Sequence, residues 1–236
     1  MSTLWTMGCS YTADYTTNLL ENVTEGNYHL FRKYRGGTFP KTWPKLLSEK
    51  LNMEVVNLGF PGADNYTIFQ QFNDNCHKIQ SGDMVIVGWS MINRFRMAHP
   101  KNNHFTLFTS TNDNLLDYWS SRTIEEIFVN RLSKTWTEEI YGYTNLIEQL
   151  GLAKGFNTFF WSADPMLINE ESNEFKNQRK FLLPDCELGM IQHLINNHGA
   201  LNISFETEHT IKDTHLGQQG HEVMADLFYD DIIKKV

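Results

Sequence analysis

The six residues MGCSYT, positions 7 to 12, follow a short apolar start, Leu4 to Met7, and precede the first charged residue, Asp14. Glycine, cysteine and serine there suit either a turn that merely ends a strand or a turn that holds a nucleophile up to a substrate. A serine hydroxyl is a poor nucleophile unaided, so the second reading demands a base within hydrogen-bond reach and donors for the charge that develops on an attacked carbonyl oxygen. Cys9 would be the stronger nucleophile as a thiolate. As the neighbour of Ser10 at a strand end, however, it faces the opposite way, toward the core, and reads as a small buried hydrophobe. The sequence offers no metal-ligand spacing: His209, His215 and His221 recur every six residues, and the three cysteines, Cys9, Cys76 and Cys186, stand far apart.

A reactive group of this kind needs a rigid scaffold, and short apolar runs alternating with longer amphipathic ones predict a parallel sheet covered by helices. Strands are expected at Leu4–Met7, in MEVVNLGF, in DMVIVGWS and in NTFFWSA, with LNISF as a fifth. Pro40 and Pro44 open a helix on which Trp43, Leu46, Leu47 and Leu51 recur at helical spacing. Further helices are expected over Ala63 to Ile79, with Asp64 as its cap, over Trp136 to Leu152, and over Gly217 to Lys235. From Met91 to Lys134 the periodicity dissolves, apart from a short helical stretch at Thr123 to Leu132, so one domain spanning 1–236 carries an insertion at about 91–134.

Ligands of open parallel sheets collect at the carboxyl ends of the strands. Three stretches stand at such ends, GCSYT, NLGFPGADN and GWSMINR, and a fourth, KDTHLGQQGHEVMA, immediately precedes the last helix. In this order, with the serine near one end of the chain and the histidine near the other, they resemble the four blocks of the SGNH, or GDSL-type, hydrolase family. The resemblance runs through nearly the whole chain, and GCS in place of GDS is similar to phage-type members. It implies a three-layer α/β/α sandwich, flavodoxin-like, around a mostly parallel five-stranded sheet. It also implies a nucleophile at Ser10, a general base at His215 and an orienting acid at Asp213. That acid lies two residues before the histidine, where the family usually has three and this chain has Lys212. The implied oxyanion hole comprises the backbone N–H groups of Ser10 and Gly62. For the third donor, Ser90 stands where the family has asparagine, so Ser90 or the nearby Asn93 takes that place. Arg94 and Arg96 follow, either as a clamp for an anionic substrate group or as solvated surface.

The chain has 236 residues, 41% hydrophobic and 20% charged, which fits a globular protein with one sizeable core. A formal charge of −8 argues against binding nucleic acid through its phosphates. No basic segment followed by a long apolar run opens the chain, and no stretch approaches the ~18 apolar residues of a membrane span. The expectation is a cytoplasmic protein, though the same sequence suits one attached to a virion or released by lysis. The resemblance implies a cofactor-free, metal-independent serine esterase acting on short acyl esters, including O-acetyl groups on carbohydrate. Two other readings share the fold: a carbohydrate-binding or virion-associated structural module with a weakened site, and an O-acyltransferase using the same serine.

Overall fold

The computed structural model describes residues 2–14, 41–91, 94–98, 105–109, 133–163, 175, 180–183, 190–191, 193–194, 202–204 and 212–236. Four parallel strands, β1 (Thr3–Met7), β2 (Glu54–Asn57), β3 (Met84–Trp89) and β6 (Asn157–Ser162), form one sheet in the order β2-β1-β3-β6. β1 and β3 run side by side from Leu4↔Met84 to Met7↔Val87. The uninterrupted apolar run MVIVGW makes β3 a strand buried on both faces, as a central parallel strand must be.

Helices cover both faces. On one lie α1 (Trp43–Leu51) and α4 (Gln218–Lys235), packed against each other. Trp43 meets Phe228 of α4 and Trp161 of β6 edge-on, with ring centroids 5.1 and 6.2 Å apart. Gly88 makes room for this cluster, because a Cβ there would stand 2.4 Å from the Trp161 indole. On the other face lie α2 (Asn65–Asn75) and α3 (Ser133–Lys154), where Phe69 stacks on Tyr143 at 4.3 Å. The expected helices therefore form. The expected cap also holds: the Asp64 carboxylate accepts from the Thr67 amide at 2.8 Å.

At the amino end of the sheet, one buried carboxylate ties β1 to β3. Asp83, at the entry to β3, accepts from the Thr3 amide at 2.9 Å, the Trp5 indole N–H at 3.0 Å and the Gln80 amide at 3.0 Å.

Two regions differ from the sequence expectation. The LNISF stretch forms β7 (Asn202–Ser204), which pairs antiparallel with β8 (Lys212–Leu216) in its own ladder and does not join the main sheet as a fifth strand. Its alternation of polar Asn202 and Ser204 with apolar neighbours supplies one apolar face, where a strand inside a covered parallel sheet needs two. The place beside β6 goes instead to a single parallel bridge, Phe160↔Phe181. Within 91–134, β4 (Arg94–Ala98) and β5 (Phe105–Thr109) form an antiparallel pair. The helical stretch expected at 123–132 lies outside the described residues. Among the described residues no helix is long and apolar enough to cross a membrane.

Candidate active site

β1 ends at Met7, and the chain closes at once into a single helical turn. The Cys9 carbonyl accepts from the amides of Thr12 at 2.9 Å and Ala13 at 3.0 Å. Ser10 is the residue after that carbonyl, at the carboxyl end of the strand between β2 and β3, and is 4% exposed. Cys9 is buried in the core, as expected of a small hydrophobe. The turn folds back so tightly that a Cβ on Gly8 would lie 2.2 Å from Thr12 Oγ1, which explains the glycine.

Several elements converge on this turn. From the end of β2, Asn57 Nδ2 donates to the Thr12 carbonyl at 2.7 Å, while its Oδ1 accepts from Thr6 Oγ1 at 2.9 Å and the Gly59 amide at 3.0 Å. From α1, Trp43 Nε1 donates to the Tyr11 carbonyl at 3.0 Å, and Thr42 Oγ1 donates to Asp14. From α2, Gln71 takes both polar backbone groups of Gly8: Oε1 accepts from its amide at 3.0 Å and Nε2 donates to its carbonyl at 3.3 Å. Helix α1 is itself anchored to α4. Its Thr42 N-cap makes no side-chain cap bond, and the Trp43 amide donates instead to His221 Nδ1 at 3.2 Å. The Lys41 amide likewise donates to Gln218 Oε1 at 2.8 Å.

The second glycine stretch abuts the first. The Phe60 amide donates to the Gly8 carbonyl at 3.0 Å, and the Ala63 amide donates to the Phe60 carbonyl at 3.1 Å, closing a type II turn over Pro61 and Gly62. Gly62 has φ +78°, the left-handed value that such a turn requires and that favours glycine. Gly59 answers to a different need: a Cβ there would stand 2.7 Å from the Ala13 nitrogen and 2.8 Å from the Thr12 carbonyl carbon. Phe60 and Tyr66, on either side of Gly62, are 55% and 48% exposed.

Ser90, at the end of β3, is wholly buried, and its backbone is held by Asn65, the first residue of α2. Asn65 Oδ1 accepts from the Ser90 amide at 2.7 Å and Nδ2 donates to its carbonyl at 3.2 Å. Nearby, burial pushes the Tyr143 hydroxyl above its ordinary value, and the negative potentials of Glu139, Tyr66 and Asp64 push it further. The Glu139 carboxyl is raised by partial desolvation.

The structure thus brings Ser10, Gly62 and Ser90 to the carboxyl edge of one sheet. Arg94 opens β4, and Asp213 and His215 lie two apart on β8, which leads through Gly217 into α4. Asn93 lies outside the described residues. Sequence reasoning missed Asn57, Gly59, Asn65 and Gln71. The stretch NLGFPGADN contained three of these, but only the fold shows what each side chain reaches.

No protein-family model and no curated protein matches the sequence. Solved structures do. The YxiM protein of Bacillus subtilis is similar over 99% of this chain and 56% of its own, at 12% identity and a TM-score of 0.51. This chain therefore spans little more than half the length of YxiM. A lipolytic protein of the G-D-S-L family from Desulfitobacterium hafniense is similar over 98% of this chain and 99% of its own, at 10% identity and a TM-score of 0.48. Axe2, an acetylxylan esterase from Geobacillus stearothermophilus, is similar over 98% and 94%, at 12% identity and a TM-score of 0.44. The likeness to YxiM is one of fold.

Proposed function

We propose that the protein is a serine esterase that hydrolyses short acyl esters through an acyl-enzyme on Ser10. One observation carries this reading: a tight turn at the carboxyl end of a central strand presents Ser10, and side chains from β2, α1 and α2 hold that turn in place. In this reading a carbonyl oxygen approaching Ser10 meets the Ser10 backbone N–H. Gly62, on the adjoining turn, adds a donor from a backbone with no side chain in the way.

In this mechanism Ser10 Oγ attacks the ester carbonyl while His215 takes its proton, and the tetrahedral oxyanion is held by the Ser10 and Gly62 amides, with Ser90 or Asn93 as the third donor. His215 then protonates the departing alcohol. A water molecule, deprotonated by His215, releases the carboxylic acid and restores the serine. Asp213, two residues before His215, is assigned to orient the imidazole.

The surroundings favour a neutral ester on a carbohydrate. Exposed Phe60 and Tyr66 offer flat apolar faces beside the Gly62 turn, the kind of surface on which a sugar ring stacks. The overall charge of −8 disfavours a strongly anionic substrate. Arg94 is the candidate contact for the polar remainder of the substrate.

The test is hydrolysis of p-nitrophenyl acetate and butyrate by the purified protein beside Ser10→Ala and His215→Ala. The expected result is activity lost by ~10³-fold or more in both variants. Wild-type turnover no faster than the variants, with acetylated glycans also untouched, would leave a binding module on the same fold.

A further inference from the structure

A crevice at the carboxyl edge requires strands that stop pairing while their backbones remain polar and half buried. The register locates the problem. β1 and β3 pair as far as Met7↔Val87, so continued strands would set Gly8 beside Gly88 and Ser10 beside Ser90. Instead β1 turns away at Cys9. Successive residues of a parallel strand address opposite neighbours, and the Trp89 carbonyl accepts from Ala163 on the β6 side. The Ser90 amide and carbonyl therefore face the side that β1 has left. By the same alternation, Thr6 addresses β2, through its carbonyl and the Leu58 amide at 2.8 Å, and so does Gly8, whose carbonyl still takes the Phe60 amide at 3.0 Å while its own amide turns to Gln71.

Side chains of one helix meet both strand ends. Gln71 bonds the amide and carbonyl of Gly8, and Asn65 bonds the amide and carbonyl of Ser90. A primary amide carries an acceptor and a donor side by side, as a peptide group does, so Asn65 stands where a strand's backbone would have been, while Gln71 supplies the acceptor for the Gly8 amide and joins Phe60 on the Gly8 carbonyl. We propose that Gln71 and Asn65 are positioning residues: two arms of α2 that fix the separation of the Ser10 turn from the Ser90 strand end, and with it the width of the oxyanion site. This rests on the esterase reading for its catalytic consequence. The arms act through the backbone of the Ser10 turn and of Ser90, so they govern the chemical step and leave substrate binding alone.

Gln71→Met and Asn65→Leu remove the amides at nearly constant volume. Each is expected to lower kcat for p-nitrophenyl acetate by about 10- to 100-fold, the order that a displacement near 1 Å costs, with KM within about twofold of wild type. Labelling of Ser10 by a fluorophosphonate should slow in parallel. Gln71→Glu and Asn65→Asp keep the acceptor for the backbone amide and should recover part of the loss. Exchange of the backbone amides with deuterium reads the clamp without chemistry: Gly8 should exchange ~10-fold faster in Gln71→Met, and Ser90 likewise in Asn65→Leu. Wild-type kcat in both Met and Leu variants, or a loss confined to KM, would overturn the proposal. If the wild-type protein neither hydrolyses esters nor takes the label, the esterase reading falls, and unchanged exchange at Gly8 and Ser90 would then sink the clamp as well.

Discussion

The two ends of the sheet solve opposite problems. At the amino end Asp83 gathers three donors onto one carboxylate, from β1, from the Trp5 indole and from the turn before β3. At the carboxyl end Asn57, Asn65 and Gln71 spread their amides over the backbones of strands that are moving apart. A carboxylate only accepts, and suits a point where several N–H groups converge. An amide both donates and accepts, and suits a broken ladder where N–H and C=O lie together. One end is built for stability, the other for holding an opening to a fixed shape.

That contrast can be broken experimentally. Asp83→Ala strands three donors in a buried site and should lower the unfolding free energy by about 3–5 kcal/mol in urea titrations, while kcat of the folded protein stays within about twofold of wild type. A large loss of kcat would show that the amino end also sets the site. Gly59→Ala drives a methyl against the backbone at Thr12 and Ala13 and cannot be relieved by a side-chain swing. It should cost about 1–3 kcal/mol and reduce kcat by about 10-fold as the Ser10 turn shifts. Normal kinetics in that variant would mean the turn is less rigidly seated than its hydrogen bonds imply. Phe60→Ala sharpens the comparison from the other side. With its side chain largely in solvent, stability should move by less than about 0.5 kcal/mol, and the effect should fall on KM for acetylated saccharides. An unchanged KM would remove the aromatic platform from the substrate assignment.

Much of the scaffold was legible because periodicity is a local signal. MVIVGW has no polar interruption and could only be a covered strand, and Trp43, Leu47 and their neighbours repeat at helical spacing. The β4–β5 pair escaped notice although Arg94 to Met97 alternates, because the aromatic and Asn-rich residues around it obscured so short a run. LNISF carried the right composition for a strand but not for a strand covered on both faces. At the site, Ser10 and Gly62 could be singled out by motif. Asn57, Asn65 and Gln71 could not, since a side-chain amide leaves no periodic trace and its role depends on which strand end the fold delivers to it. The reason for Gly59 is equally hidden, being a contact with residues some 45 positions earlier.

The anchoring of α1 on α4 has a consequence for the order in which the molecule can be completed. The Lys41 and Trp43 amides find their acceptors, Gln218 and His221, 177 and 178 residues further along the chain. During synthesis the first half of the sheet and the turn that Trp43 braces are made long before either acceptor exists. Contacts this distant in sequence form late, after the loop between them has been closed at an entropic cost. A nascent chain stopped short of residue 218 would therefore hold a serine turn whose supporting helix has an uncapped end, and the final seating of the N-terminal turn awaits the last helix.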